Sequence, residues 1–144
     1  MGQIIITDAS VLLNILASGK AGEILQGVDQ QFVVCPSVVS EVKLLKDQTT
    51  GEVIPVSLAP FIDSGVLQLV EPETDEEFDL LVQWTSDLGL GGDGEAMCFA
   101  LAQPRHYSVA IDDRRAISRA ERFYPDFTII GTTSILIQGN YSGP

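Results

Sequence analysis

Two short apolar runs end in carboxylates. QIIIT (residues 3–7) leads into Asp8, and YSVAI (107–111) leads into Asp112-Asp113. Two more acids interrupt stretches that are otherwise apolar: Glu41 in SVVSEVKLL and Glu95 at the head of EAMCFALA, with Asp93 two residues earlier. If the two runs are parallel strands, their acids share one edge of a sheet. Four or more carboxylates converging there repel one another unless a cation sits between them. An oxygen-only ligand set without His or Cys suits Mg²⁺ or Mn²⁺ rather than zinc. Acid clusters of this kind serve phosphoryl transfer, where the ion makes hydroxide available at neutral pH and stabilises charge on the phosphate.

The elements that must position these acids follow from the hydropathy pattern. QIIIT is unalternated and β-branched, as suits a strand buried on both faces. Asp8 or Ser10 is placed to cap a helix over VLLNILA, closed by Gly19, and a short helix follows over 21–26. QFVVC (31–35) reads as a second strand. Pro36 opens a helix that the spacing of Val38, Val39, Val42 and Leu45 carries to about Lys46. Residues 47–60 read as a loop, 61–63 as a helical turn and 66–70 as a third strand. Thr74 and Glu77 form a capping box for a helix to about Leu88, with Phe78, Leu81, Val82 and Trp84 expected inside. Glycines at 89–94 break it before a strongly apolar helix over 95–103. A fourth strand (107–111), an arginine-bearing helix (114–122), a fifth strand (127–130) and a final helix after Gly131 complete the chain. Strands alternating with helices predict an α/β three-layer sandwich around a central, mainly parallel sheet of about five strands. In such sheets, sites form beyond the carboxyl ends of the strands.

Composition narrows the classes. The chain has 144 residues, 45% of them hydrophobic and 19% charged, which suits one domain over 1–144 and excludes a disordered or fibrous chain. No apolar run reaches the ~18–20 residues of a membrane span. The opening residues lack a basic segment and a small-residue cleavage site, so no signal peptide and no membrane partner are expected. Cys35 and Cys98 stand far apart with no CxxC, which fits a reducing cytoplasm. Twenty acids against 8 bases give a net charge of -12, so the body as a whole repels nucleic-acid phosphate. Arg114, Arg115, Arg119 and Arg122 are the local exception: a basic helix that either guides phosphate or pairs with nearby acids.

Bland roles compete for each acid. Asp8 suits a helix cap, Glu41 a solvated helix face, Asp93 and Glu95 a helix N-terminus, and Asp112-Asp113 a cap and first turn. The GxGxxG at 89–94 follows a helix rather than a strand, so it does not argue for a dinucleotide. His106 reads as a surface loop residue and the two cysteines as core.

Taken in order, IITDASVLLNIL, PSVVSEVKLL, GGDGEAMCFALA, VAIDDRRAISRA and IIGTTSILI resemble the motifs of the PIN domain family of metal-dependent ribonucleases, in the subgroup whose third motif carries Gly-Glu-Ala. The resemblance covers nearly the whole chain. It implies an endoribonuclease holding Mg²⁺ or Mn²⁺ on Asp8, Glu41, Glu95 and Asp113. Asp93 and Asp112 remain alternates, because the register of EAMCFALA favours Glu95 while Asp112 leaves its strand first. Thr132 or Thr133 would stand near the site, and Arg114 or Arg115 would guide the RNA. Chains of this size in the family are similar to VapC-type toxins, which implies a homodimer and a small antitoxin partner with a basic tail. The competing expectation is a catalytically silent PIN-like module that binds RNA or protein.

Overall fold

The computed structural model describes residues 3–26, 30–46, 49–87 and 93–141, with side chains described at all of these except 45–46, 87, 93 and 138–141. Its centre is β1 (Gln3–Thr7), whose Ile5 and Ile6 are fully buried. Parallel partners lie on both sides: β2 (Gln30–Val34) and β6 (Ser108–Ala110). β5 (Leu67–Leu69) extends the sheet beyond β2, and β7 (Ile129–Ile130) extends it beyond β6. The order is β5-β2-β1-β6-β7, and every pairing is parallel. Helices flank this sheet, as the alternation of elements predicts.

The order has a functional consequence. The chain moves outward from β1 to β2 and β5 on one side, then returns to β6 and β7 on the other. The loops leaving β1 and β6 therefore diverge, and a crevice opens between them. Thr7 is opposite Ala110 in the ladder, and the Asp8 amide donates to the Ala110 carbonyl at 3.0 Å. Asp8 and Asp112 are thereby held on the same edge.

Helix α1 (Ala9–Ala17) packs with α2 (Ala21–Gln26) and the closing α8 (Thr132–Tyr141). α6 (Asp93–Arg105) packs against β1, β6, α3 (Pro36–Glu41) and α5 (Asp75–Val82). α4 (Ala59–Asp63) leads into β5, and α7 (Arg114–Phe123) connects β6 to β7. Among the described residues, no helix is long and apolar enough to cross a membrane.

Two expectations are corrected. The helix after Pro36 stops at Glu41, and Leu44–Lys46 (β3) pairs antiparallel with Val53–Pro55 (β4), where a continued helix and a loop were expected. Pairing with a distant segment overrides the helical spacing of Val42 and Leu45. Leu44, Val53 and Ile54 of this hairpin are exposed.

The second correction concerns α5. The capping box forms as expected, but Phe78 and Val82 point outward, 52% and 63% exposed, and Glu77 is buried. After Val82 the chain widens into a π-helical turn, Gln83–Asp87. Such a turn shifts the phase of the side chains, and Trp84 points inward. Trp84 stacks on Phe99 at 4.8 Å and donates its indole N–H to Gln103 Oε1 at 3.1 Å. The inward face is set by Glu77 and Trp84, seven residues apart, and leaves Phe78 and Val82 outside. The glycine run at 88–92 lies outside the described residues.

Candidate active site

Asp8 follows β1 and caps α1. Its Oδ1 accepts from the Val11 amide at 3.1 Å and from the Ser10 hydroxyl at 2.9 Å. The cap explains its place at a helix start, but not its burial: Asp8 is only 5% exposed. Burial is the chief cause that raises its pKa. The two hydrogen bonds work against that, and Asp112 and Glu41 add repulsion.

Glu41 ends α3, and Glu95 lies in the first turn of α6. The two helices meet so closely that a Cβ built on Gly94 would lie 2.7 Å from Glu41 Oε1. The missing side chain at residue 94 is what lets the Glu41 carboxylate lie over the head of α6. Glu95 is half-buried, and its carboxyl is pushed up to about 7 by burial first, then by Asp113, Asp8 and Glu41.

Asp112 and Asp113 follow β6 and divide the work. Asp113 caps α7 through Oδ1, which accepts from the amides of Arg115 at 2.9 Å and Ala116 at 3.2 Å. Asp112 is gripped from the carboxyl end of the neighbouring strand β7. The Thr132 amide donates to Oδ1 at 2.9 Å, and the Thr132 hydroxyl donates to Oδ2 at 2.5 Å. Asn14 Nδ2 donates to Asp112 Oδ2 at 3.2 Å and to Thr132 Oγ1 at 3.3 Å. Gly131 leaves room for this grip, since a Cβ there would stand 3.1 Å from Asp112 Oδ1.

The result is a cavity of about 350 Å³ lined by Asp8, Ala9, Ser10, Glu41, Glu95, Asp112 and Asp113. Five carboxylates from four separate stretches of chain therefore face one crevice beyond the strand ends. The mutual repulsion recorded at Asp8 and Glu95 marks it as a place where positive charge is stabilised. The all-oxygen donor set fits a hard divalent cation. As the side chains stand, no three acids, cysteines or histidines among the described residues close around one point as an ion's ligands do. Holding an ion would therefore require the carboxylates to draw closer together.

The remaining candidates fall around this crevice. Thr132 reaches it through Asp112, whereas Thr133 is exposed on the first turn of α8. Arg114 and Arg115 are exposed on the first turn of α7, and Arg114 lines the cavity next door. Asp93 opens α6, and its side chain lies outside the described residues. Asn14 was missed in the sequence. The available signal was a single carboxamide inside the apolar VLLNILA, four residues beyond Ser10 and so about one helical turn along the same side.

Against known protein families, the chain matches the DUF3368 model, described as a PIN domain, over residues 4–143. No curated protein matches the chain.

Proposed function

Since the chain belongs to the PIN domain family, a nuclease-type family, we propose that it is a divalent-metal-dependent endoribonuclease whose site is the carboxylate crevice. The observation that carries this reading is the convergence of Asp8, Glu41, Glu95, Asp112 and Asp113 on one cavity. Asp8, Glu41 and Glu95, with Asp113 or Asp112, would hold Mg²⁺ or Mn²⁺, and Asp93 is a further candidate ligand. When bound, such an ion lowers the pKa of water and offsets charge on the phosphate.

The protein's own groups supply orientation. Val11 N–H and the Ser10 hydroxyl fix Asp8 Oδ1. Thr132 and Asn14 fix Asp112, and the head of α7 fixes Asp113. Positions locked in this way lower the reorganisation needed when a phosphodiester enters. Arg114 and Arg115, at the same edge, meet the flanking phosphates, and Thr133 stands beside the Thr132 anchor. Without these arginines an acidic body would repel its substrate.

The finer assignment is the toxin of a toxin–antitoxin pair, acting as a homodimer in the cytoplasm. It rests on the resemblance to VapC-type proteins. A net charge of -12 complements a basic antitoxin tail laid across the crevice. A silent RNA- or protein-binding module is the alternative, and the acidic surface favours it.

Metal titration tests the metal-dependent part of this reading. Calorimetry with Mn²⁺ gives saturable heats with the wild type, and Glu41→Gln weakens binding by ~10-fold or more, as loss of a charged ligand demands. Saturating ion also raises the wild-type Tm by mass action. Absence of both heat and Tm shift in the wild type overturns the metal-dependent reading and leaves the silent module.

A further inference from the structure

A second cavity of about 600 Å³ opens between α7 and β7. Asp112 lines both this cavity and the carboxylate crevice, so the two adjoin. Its inner wall is apolar: Ile111 is fully buried, and Ile117, Phe127 and Ile129 are half-buried. Its rim is polar and exposed, with Arg114, Ser118 and Glu121. The volume falls within the ~300–1,000 Å³ typical of small-ligand sites, and more of the exposed lining is polar than apolar.

We propose that this cavity seats one nucleotide of single-stranded RNA, the one adjoining the bond cut in the carboxylate crevice. The inference rests on the nuclease reading of that crevice and adds where the neighbouring base and phosphate go. A nucleotide carries one flat apolar face, one anion and a polar base edge. Ile117, Ile129 and the exposed part of Phe127, whose ring packs on Phe99 and Tyr124, offer the wall for the face. Arg114 offers the cation for the phosphate, at the one edge where the -12 body presents a cluster of arginines. Ser118 and Glu121 face the base edge. A carboxylate there accepts from exocyclic amino groups, which favours cytosine, adenine or guanine over uracil. Arg114 and the shared Asp112 boundary with the crevice favour nucleic acid over an apolar peptide, while Asp112 and Glu121 in the same lining hold the phosphate to the Arg114 end.

The test uses a fluorescently labelled eight-residue single-stranded RNA, with anisotropy read in EDTA so that nothing is cut. The wild type binds. Arg114→Ala and Ser118→Trp each weaken binding about 10-fold or more, with circular dichroism and Tm unchanged. Ser118→Trp fills an exposed rim position without changing charge, so its effect separates a seated base from general electrostatics. Loss of binding in Arg114→Ala alone, with Ser118→Trp binding as the wild type does, overturns the base seat. No binding by the wild type overturns it as well. In parallel, steady-state cleavage with Mn²⁺ gives a raised KM in Ser118→Trp. Cleavage with unchanged KM in both variants refutes the subsite while the nuclease reading stands. RNA binding lost in both variants with no cleavage by the wild type refutes the nuclease reading and with it the place beside a cut bond, and leaves the cavity as a nucleotide seat alone.

Discussion

Arg105→Met lowers the stability of the protein by about 3–5 kcal/mol at pH 7, the range for stranding a buried charge. Glu77 is 3% exposed, and its carboxylate accepts from Arg105 Nε at 2.6 Å and Nη2 at 3.2 Å. The amides of Glu73, at 2.8 Å, and Thr74, at 3.2 Å, also donate to it. Arg105 Nη2 further ties the Glu71 carbonyl at 2.8 Å. One guanidinium thus closes the end of α6 against the entry to α5. The Arg105 partner, more than any other cause, lowers the Glu77 carboxyl from 4.5 to about 2. A depressed native pKa means that the stability is present above the unfolded value of 4.5 and lost as pH falls from there toward 2. Glu77→Gln, which keeps the shape but not the charge, costs about 3 kcal/mol at pH 7 and converges on the wild type near pH 2. Urea unfolding of both variants at pH 7 and at pH 3 measures this. A loss under 1 kcal/mol in Arg105→Met would show the pair to be ornamental.

Glu95→Gln acts in the opposite direction and stabilises the metal-free protein at pH 8. The Glu95 carboxyl is raised from 4.5 to about 7, so its contribution to stability is complete below 4.5 and is lost as pH rises through about 7. Discounted for a half-buried, partly screened group, the gain on neutralising it is about 1–2 kcal/mol at pH 8 and vanishes at pH 4. In Mn²⁺ the order reverses: the wild type gains stability from the ion, and Glu95→Gln gains far less. Thermal melts at pH 4 and pH 8, with Mn²⁺ and with EDTA, record both halves. A Glu95→Gln variant less stable than the wild type in EDTA at pH 8 would show that the glutamate is held by a structural contact instead of strained by its neighbours.

The crevice was readable because its acids are tied to local signals. Asp8 and Asp112-Asp113 each end a β-branched run, and a parallel sheet sends both ends to one edge whatever the strand order. Glu41 and Glu95 stood out as charges within apolar helices. What local signals cannot carry is pairing across the fold. Nothing near Leu44 announces that it meets Pro55, so a helical spacing was extended through a hairpin. Glu77 was read as a capping residue only, because its partner Arg105 lies 28 positions away. With Glu77 turned inward to that pair, Phe78 and Val82 lie on the exposed side of α5. Asn14 and the cavity between α7 and β7 depend on β7 lying beside β6, which no local pattern encodes.

Cleavage of a pool of structured and unstructured RNA by the wild type and by Asp8→Asn, each in Mg²⁺, Mn²⁺ and EDTA, reads the central claim most directly. Asp8 is the most deeply placed carboxylate of the crevice, and Asn at this position keeps a side-chain oxygen for the α1 cap while removing the charge. The wild type cuts in Mn²⁺ or Mg²⁺ and not in EDTA, and Asp8→Asn loses that activity by ~10³-fold or more while its circular dichroism is unchanged. Cuts that persist in EDTA or in Asp8→Asn, or a folded wild type that cuts nothing in either metal, contradict it.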